Sequence, residues 1–339
     1  MAKYTFKDFK SDQEVRWCPG CGDYSVLAAL QRTLPKVCEE KGIDKEKVVV
    51  VSGIGCSSRL PYYVSTYGFH SIHGRAAAIA TGMKVANPEL SIWQISGDGD
   101  ALAIGGNHFI HAIRRNIDIN ICLFNNRIYG MTKGQYSPTS KIGAITKTSP
   151  YGTVEEPFNP GSLVIGAKGT FFARSIDTEL ALSEEIMLQA SRHAGCSVME
   201  FLTNCVIFNN GSHTEISEKS VKADRTILLR EGEKMIFGAE KNKGLVLDGQ
   251  KLKVVTIGED GVTEADVLTH HAHEDNLGLQ MMLADMKWPE YPVALGVIRD
   301  IPASTYADEV EKQLETVKAK AKVHSVDELL RSGSTWDVK

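Results

Sequence analysis

The sequence predicts an α/β protein in which a parallel sheet is flanked by helices. Short apolar runs rich in valine, isoleucine and phenylalanine recur along the chain, and each ends in a polar or glycine-containing loop. Segments with a helical pattern separate these runs. Strands that alternate with helices in this way are typical of parallel α/β sheets.

The predicted elements follow one another regularly. Strands are predicted at residues 47–56, 90–100, 117–126, 170–175 and 196–205, and helices at residues 24–41, 74–86, 102–116 and 177–194. Ligands of such sheets bind at the carboxyl ends of the strands. Several chemically distinctive residues come directly after predicted strands, and we expect them to share one edge of the sheet: Cys56, Asp98, Asn125, Asn126 and Cys205.

The composition is that of an ordinary soluble globular protein. The 339 residues are 42% hydrophobic and 24% charged, with a formal net charge of -4, and nothing indicates a nucleic-acid partner. The longest apolar runs are too short to cross a membrane, and the N-terminal residues are charged throughout, unlike a secretory signal. We therefore expect a cytoplasmic protein without a membrane partner.

We expect two regions along the chain. Residues 1–216 contain the alternating strands and helices, whereas residues 217–339 begin with a highly charged stretch and form a smaller C-terminal subregion, expected to be an interface. The connection at residues 136–170 is rich in glycine, proline, serine and threonine. Its length favours an active-site or interface loop over a simple turn.

The segment ISGDGDALAIGG places Gly97, Asp98, Gly99 and Asp100 where a strand turns into a helix. On its own it is also compatible with a capped helix start. A dinucleotide-binding fingerprint does not fit, because Leu102 occupies the position of the third glycine. A calcium loop does not fit either, because apolar residues replace the later ligands.

A better interpretation combines Asp98 with Asn126, which follows 28 positions later at the end of the next predicted strand. Carboxylate and amide oxygens suit Mg2+, and a backbone carbonyl near Ile128 would complete the protein ligands. Gly97 and Gly99 let the backbone approach a diphosphate, and we assign Asp100 to the same cofactor-binding set. This spacing of GDG and NN resembles the thiamine diphosphate motif of thiamine-dependent enzymes.

The seven cysteines divide into two groups. Three have the surroundings of core or structural thiols: Cys38, Cys122 and Cys196. The other four lie in loops beside glycine, proline or asparagine: Cys18, Cys21, Cys56 and Cys205. Four loop thiolates suit either zinc or an iron–sulfur cluster, and their spacing does not distinguish the two. Beside thiamine, a cluster would accept electrons from the reaction, whereas a structural zinc would take no part in it.

The chain resembles the β subunits of the 2-oxoacid:ferredoxin oxidoreductases over about residues 16–205. The resemblance rests on six segments: WCPGCGD, GIGCSSR, HSIHGRAAAIATGMKVANP, GDGDALAIGGNH, NNRIYGMTKGQYSPT and EFLTNC. It implies a thiamine diphosphate-binding fold with Mg2+, and one 4Fe-4S cluster on the four loop cysteines. It also implies oxidative decarboxylation of a 2-oxoacid, electron transfer to ferredoxin and capture of the acyl group by coenzyme A.

The resemblance further implies a hetero-oligomer. The glutamate that activates thiamine has no candidate in this sequence, and in the family it belongs to a separate α subunit. His73, in the segment HGRAA, is either a buried helix cap or, as the family implies, a residue near the diphosphate and the reacting carbonyl. Lys133 is either an exposed lysine or, with help from Arg59, the partner of a distal substrate carboxylate.

The lysine motif favours 2-oxoglutarate as substrate, with succinyl-CoA as product. A pyruvate or branched-chain 2-oxoacid enzyme of the same family is the nearest alternative. A thiamine-dependent enzyme without redox chemistry would leave the four loop cysteines without a purpose. A non-enzymatic alternative is a zinc-stabilised binding module.

Overall fold

An eight-stranded, mostly parallel sheet forms the centre of the protein. The structure is a computed structural model that describes residues 3–338. The strands are β1 Val48–Ser52, β2 Tyr67–His70, β3 Ser91–Gly97, β4 Ile119–Asn125, β5 Phe171–Ile176, β6 Cys196–Leu202, β7 Thr226–Leu229, β8 Ile236–Phe237, β9 Lys243–Asp248, β10 Lys251–Thr256 and β11 Val293–Asp300. The helices are α1 Asp23–Lys41, α2 Ala76–Ala86, α3 Gly106–Arg114, α4 Pro160–Gly166, α5 Leu180–Arg192, α6 Thr214–Ser217, α7 Lys222–Arg225, α8 Leu277–Asp285, α9 Tyr306–Lys320 and α10 Val326–Arg331.

The strands of the central sheet follow the order β2-β1-β3-β4-β6-β5-β11-β7. All neighbouring pairs are parallel except β5 and β11, which are antiparallel. The predicted parallel α/β fold is confirmed, with this one antiparallel pair as an addition. Strand β2, which is short and largely exposed, and the return of β7 and β11 to the main sheet were not predicted from the sequence.

The side chains of strand β4 show that both faces of the sheet are apolar and buried. Ile119, Ile121 and Leu123 point into one core, and Cys122 and Phe124 point into the other. Helices α1 and α5 pack together over the second core, whereas α2, α3, α4 and α8 cover the first. Strands buried on both faces read as continuous apolar runs, as residues 117–124 do.

The C-terminal region is structurally composite. Strands β7 and β11 extend the main sheet, whereas β8, β9 and β10 form a separate antiparallel sheet. The division after residue 216 therefore stays a prediction about organisation along the chain. None of the helices within residues 3–338 combines the length and apolar character needed to cross a bilayer.

A buried ion pair joins the centre of the sheet to its carboxyl edge. Arg174 on β5 lies opposite Glu200 on β6, and its Nε donates to Glu200 Oε2 at 2.6 Å. Both side chains are almost fully buried. The Asn125 amide, at the end of β4, donates to the other oxygen of Glu200 at 2.7 Å. Glu200 therefore fixes the side chain of Asn125 at the carboxyl end of β4.

Replacement of Glu200 by alanine should strongly destabilise the protein. It leaves the Arg174 guanidinium buried without a counterion, which costs about 3–5 kcal/mol of unfolding free energy. The control is Glu40→Ala, which breaks an exposed pair with Arg192 and should cost about 1 kcal/mol or less. Urea unfolding of both variants measures the difference. Similar, small losses in the two variants would contradict this account of the sheet.

Candidate active site

The carboxyl ends of β1, β3 and β4, together with the segment that contains His73, surround a cavity of about 200 Å3. Strands β1, β3, β4 and β6 are consecutive in the sheet, so the loops that follow them meet at one edge, as the sequence predicts. Residues from three of these loops and from the His73 segment line the cavity: Ile54, Gly55, Cys56, Ser57, His73, Gly97, Asp98, Gly99, Asp100, Asn126, Ile128, Tyr129, Gly130, Met131 and Thr132.

Asp98 is one of two buried carboxylates that line this cavity, with 2% of its surface exposed. Its Oδ2 accepts hydrogen bonds from the hydroxyls of Ser137 and Thr139, each at 2.5 Å. Burial raises the pKa of Asp98 to about 6, although the two hydroxyls favour the charged form. The Thr139 hydroxyl also approaches Asn125 Oδ1 at 2.9 Å, which links Asp98 to the buried pair behind it.

Ser137 and Thr139 belong to the connection at residues 136–170. The length and composition of that connection predict an active-site or interface loop, but they do not distinguish these two hydroxyls. The SPTS segment carries no motif that distinguishes them from other serines and threonines of the loop. Their role becomes apparent only when the loop folds back over the end of β3.

A tight turn after β4 holds Asn126 beside the cavity. The Asn126 side-chain oxygen accepts the N–H of Ile128 at 3.1 Å, and Arg127 between them has a left-handed φ of 57°. The Asn209 amide donates to the Asn126 carbonyl at 3.0 Å. Asn126 and Asp98 thus occupy neighbouring strand ends, with Ile128 on the same wall of the cavity.

Gly99 is required by the close approach of Tyr129. The Tyr129 hydroxyl donates to the Gly99 carbonyl at 2.9 Å, and a Cβ at Gly99 would lie only 2.2 Å from the tyrosine ring. Burial, with the nearby charges of Asp98 and Asp100, raises the pKa of Tyr129 to about 12. The phenol therefore remains a hydrogen-bond donor at neutral pH.

His73 lies on the cavity wall next to Asp100. Its Nδ1 is 2.7 Å from Asp100 Oδ1, and its ring meets the edge of Tyr129 with 6.3 Å between centroids. Asp100 is itself buried and bonds backbone N–H groups of neighbouring loops. Of the three residues predicted to act on substrate, His73 is the one that lines the cavity.

Arg59 and Lys133 do not line the cavity. Arg59 donates from Nη1 to the Arg16 carbonyl at 2.8 Å, on the side of the cysteine loops. Lys133 is exposed, has a left-handed φ of 77°, and directly follows Thr132 at the cavity rim. Their predicted role in binding a substrate carboxylate therefore stays a prediction.

The loops that carry the four candidate ligand cysteines converge beside the cavity. A Cβ placed on Gly130 would lie 3.5 Å from the sulfur of Cys56 and 3.5 Å from that of Cys205, so the two sulfurs are no more than 7.0 Å apart. Burial raises the pKa of the Cys21 thiol. The nearby Asp23 carboxylate and the thiols of Cys56 and Cys205 raise this pKa further. Cys18 contributes in the same way to the raised pKa of Cys56.

The four loop cysteines are candidates for a metal centre by their chemistry. Within residues 3–338, no three His, Cys, Asp or Glu residues are grouped closely enough to hold a single metal ion. The iron–sulfur cluster on these cysteines therefore stays a prediction. The other three cysteines are buried in the two cores, as predicted: Cys38, Cys122 and Cys196.

Comparisons with known proteins agree with this geometry. Residues 53–201 match the family described as thiamine pyrophosphate enzyme, C-terminal TPP binding domain. The chain is 45% identical to the 2-oxoglutarate oxidoreductase subunit KorB of Mycobacterium tuberculosis over 98% of this chain and 88% of that protein. It is 49% identical to the 2-oxoglutarate synthase subunit KorB of Archaeoglobus fulgidus over 56% of this chain and 69% of that protein.

The chain belongs to the family of 2-oxoacid:ferredoxin oxidoreductase β subunits. A solved 2-oxoglutarate:ferredoxin oxidoreductase from Magnetococcus marinus, with 2-oxoglutarate, coenzyme A and succinyl-CoA bound, has the same fold. Its TM-score is 0.77 at 30% identity, and the match covers 99% of this chain and 98% of that one. The family and the thiamine diphosphate-binding domain that the sequence predicted are thereby confirmed for this β subunit.

The residues of the cavity suit the diphosphate group of thiamine diphosphate and the Mg2+ ion that would accompany it. Asp98 supplies a buried carboxylate, and Asn126 an amide oxygen from the neighbouring strand end. Both are hard oxygen donors of the kind that Mg2+ takes from protein while phosphates and water fill its remaining positions. At Gly97, the missing side chain leaves backbone that a phosphate can approach closely, because no atom lies within 3.4 Å of a Cβ built there.

Replacement of Gly99 by alanine should disturb the cavity directly. The added methyl group forces Tyr129 away and breaks its bond to the Gly99 carbonyl, so we expect a loss of about 1–3 kcal/mol in unfolding free energy and weaker thiamine diphosphate binding.

The matched control is Gly82→Ala. Gly82 lies in α2 with open space around its Cα, so the same methyl group should stabilise the helix by about 0.5–1 kcal/mol and leave cofactor binding unchanged. Urea unfolding and calorimetric titration with thiamine diphosphate and Mg2+, in complex with the α subunit, compare the two. Normal stability and affinity in Gly99→Ala would show that Tyr129 moves freely.

Proposed function

We propose that this β subunit catalyses, with an α subunit, the oxidative decarboxylation of 2-oxoglutarate to succinyl-CoA in the cytoplasm, with ferredoxin as electron acceptor. The central supporting observation is that the Asp98 and Asn126 strand ends share one edge of the sheet with the cysteine loops. The names of the 45% and 49% identical relatives support 2-oxoglutarate as substrate.

Asp98, the Asn126 amide and the Ile128 carbonyl would hold Mg2+, and Gly97 and Gly99 would receive the diphosphate. Thiamine diphosphate, when bound, supplies the stabilised carbanion that lets CO2 leave a 2-oxoacid. The protein supplies the groups that would hold this cofactor in a fixed orientation. Ser137 and Thr139 direct one Asp98 oxygen toward the loop, which leaves the other for the cation.

Cys18, Cys21, Cys56 and Cys205 would hold one 4Fe-4S cluster, which supplies a one-electron acceptor beside the cavity. Burial raises the pKa of the Cys56 thiol to about 11, so cluster assembly must release protons from groups that are neutral thiols without metal. Cys56 lines the cavity itself, which gives electrons a short path from the reacting carbon to the cysteine loops.

The exposed apolar side chains of the connection at residues 136–170 support contact with an α subunit. Five of them lie within one stretch of the loop that covers Asp98: Ile142, Ile145, Tyr151, Val154 and Phe158. Tyr151 and Val154 are more than 90% exposed. Apolar side chains grouped in this way mark protein interfaces. The α subunit would also supply the glutamate that activates thiamine.

Lys133 is the candidate for recognition of the distal carboxylate of 2-oxoglutarate. It is exposed and directly follows Thr132, which lines the cavity, and an α subunit would shelter it from water and strengthen a charge-assisted hydrogen bond. Arg59 would first have to release the Arg16 carbonyl, which favours Lys133 as the main contact. Pyruvate and branched-chain 2-oxoacids lack the carboxylate that this lysine would bind.

Replacement of Lys133 by alanine should therefore change substrate preference. The loss of a charged hydrogen bond worth about 1.5–3 kcal/mol should lower kcat/KM for 2-oxoglutarate by about 10- to 100-fold. Turnover of pyruvate should change little. Lys7→Ala removes an exposed lysine of the N-terminal segment, serves as the control and should behave as wild type. An equal loss with both substrates in Lys133→Ala would remove this role.

The electron-transfer proposal is tested by ferredoxin reduction in the α–β complex, assayed anaerobically with 2-oxoglutarate and coenzyme A. Wild type should reduce ferredoxin, and Cys56→Ser should have no detectable activity because the cluster loses a ligand. Cys38→Ala removes a buried thiol in the core and should remain active at a small cost in stability. An active Cys56→Ser complex would refute the proposed ligand set.

A further inference from the structure

Asp100 makes a set of contacts that differs from that of Asp98. Its Oδ1 accepts three hydrogen bonds: the Gly74 N–H at 2.7 Å, the Ile54 N–H at 3.0 Å and His73 Nδ1 at 2.7 Å. The three donors belong to two separate loops, one after β1 and one before α2. One buried carboxylate oxygen therefore ties both loops to the start of the turn at Asp100–Ile104.

The second oxygen of Asp100 faces backbone. A Cβ placed on Gly53 would lie 1.9 Å from Asp100 Oδ2, so this oxygen packs closely against the Gly53 Cα. It is buried and has no hydrogen-bond partner among the described residues. Oδ1 is thus occupied by protein donors, and Oδ2 packs against the backbone of Gly53. Gly53 is the residue that makes room for this packing.

The contacts of Asp100 also determine which nitrogen of His73 carries a proton. An ionised carboxylate only accepts hydrogen bonds, so His73 Nδ1 must be the donor. In the neutral imidazole, Nε2 then keeps its lone pair. Nε2 lies on the opposite side of the ring, has no hydrogen-bond partner among residues 3–338, and belongs to a side chain that lines the cavity.

We propose that Asp100 is a positioning residue and not a cofactor ligand: it holds His73 with Nε2 as an acceptor in the cavity and fixes the loop that leads to Cys56. The Tyr129 ring contacts the His73 ring in an edge-to-face arrangement. The Ile54 N–H that Asp100 binds lies two residues before Cys56. Asp100 thus connects the cofactor cavity to the cysteine loops. The inference builds on the proposed function, because it assigns the cavity to thiamine diphosphate.

The test is a double-mutant cycle in the α–β complex with Asp100→Asn and His73→Gln. Asp100→Asn should lower kcat by about 10- to 100-fold, the range lost when an outer partner of a functional histidine is removed. In the His73→Gln background, Asp100→Asn should lower kcat by less than about threefold. Each single variant already removes the Asp100–His73 contact, so the second change has little left to remove. If the loss of kcat in the double variant equals the product of the losses in the two single variants, the proposal is overturned.

Cofactor binding separates positioning from ligation without an activity measurement. Calorimetric titration of Asp100→Asn with Mg2+ and thiamine diphosphate should give dissociation constants within about threefold of wild type. The comparison variant Asp98→Asn should lose Mg2+ binding, because it removes a carboxylate ligand. Equal loss of Mg2+ in Asp100→Asn and Asp98→Asn would identify Asp100 as a ligand and refute the inference.

Wild-type complex labelled with 15N-histidine provides a readout that does not depend on folding of the Asp100 variant. The His73 signal, assigned by its loss in His73→Gln, should show a protonated Nδ1 and an unprotonated Nε2 at neutral pH. A protonated Nε2 with bare Nδ1 would refute the inference. A complex that binds cofactor and shows the expected tautomer but does not oxidise 2-oxoglutarate would instead contradict the proposed function alone.

Discussion

The side-by-side arrangement of four parallel strands is the constraint on which the rest of the structure depends. Because β1, β3, β4 and β6 are consecutive and parallel, their carboxyl ends meet at one edge. The loops after them carry residues that are far apart in the chain and chemically different. Apolar packing on both faces fixes the register of these strands, so the positions of Asp98 and Asn126 follow from the core.

A polar chain through the interior supports that edge. It runs from the Arg174–Glu200 pair through Asn125 and Thr139 to Asp98, and each member has a partner. Buried polar groups are stable only when they are satisfied, and a satisfied network selects one arrangement. The Asp98 carboxylate is therefore held by the sheet behind it and by the loop in front of it.

Much of this could be predicted from sequence because it rests on local patterns. Apolar runs revealed the central strands, and their order along the chain placed Asp98 and Asn126 at the ends of neighbouring strands. The contacts of Ser137, Thr139 and Asp100 could not be predicted, since they depend on how distant loops fold together. Strand β11 was missed as part of the main sheet for the same reason, because its pairing with β5 joins segments more than 100 residues apart.

In the function we propose, one edge of one sheet holds both thiamine diphosphate and an iron–sulfur cluster. The most direct measurement is iron, sulfide, zinc and thiamine diphosphate analysis of the wild-type α–β complex after anaerobic purification, with its visible spectrum. The account predicts brown protein with about four irons and one thiamine diphosphate per chain. Colourless protein with one zinc and no thiamine diphosphate would contradict it.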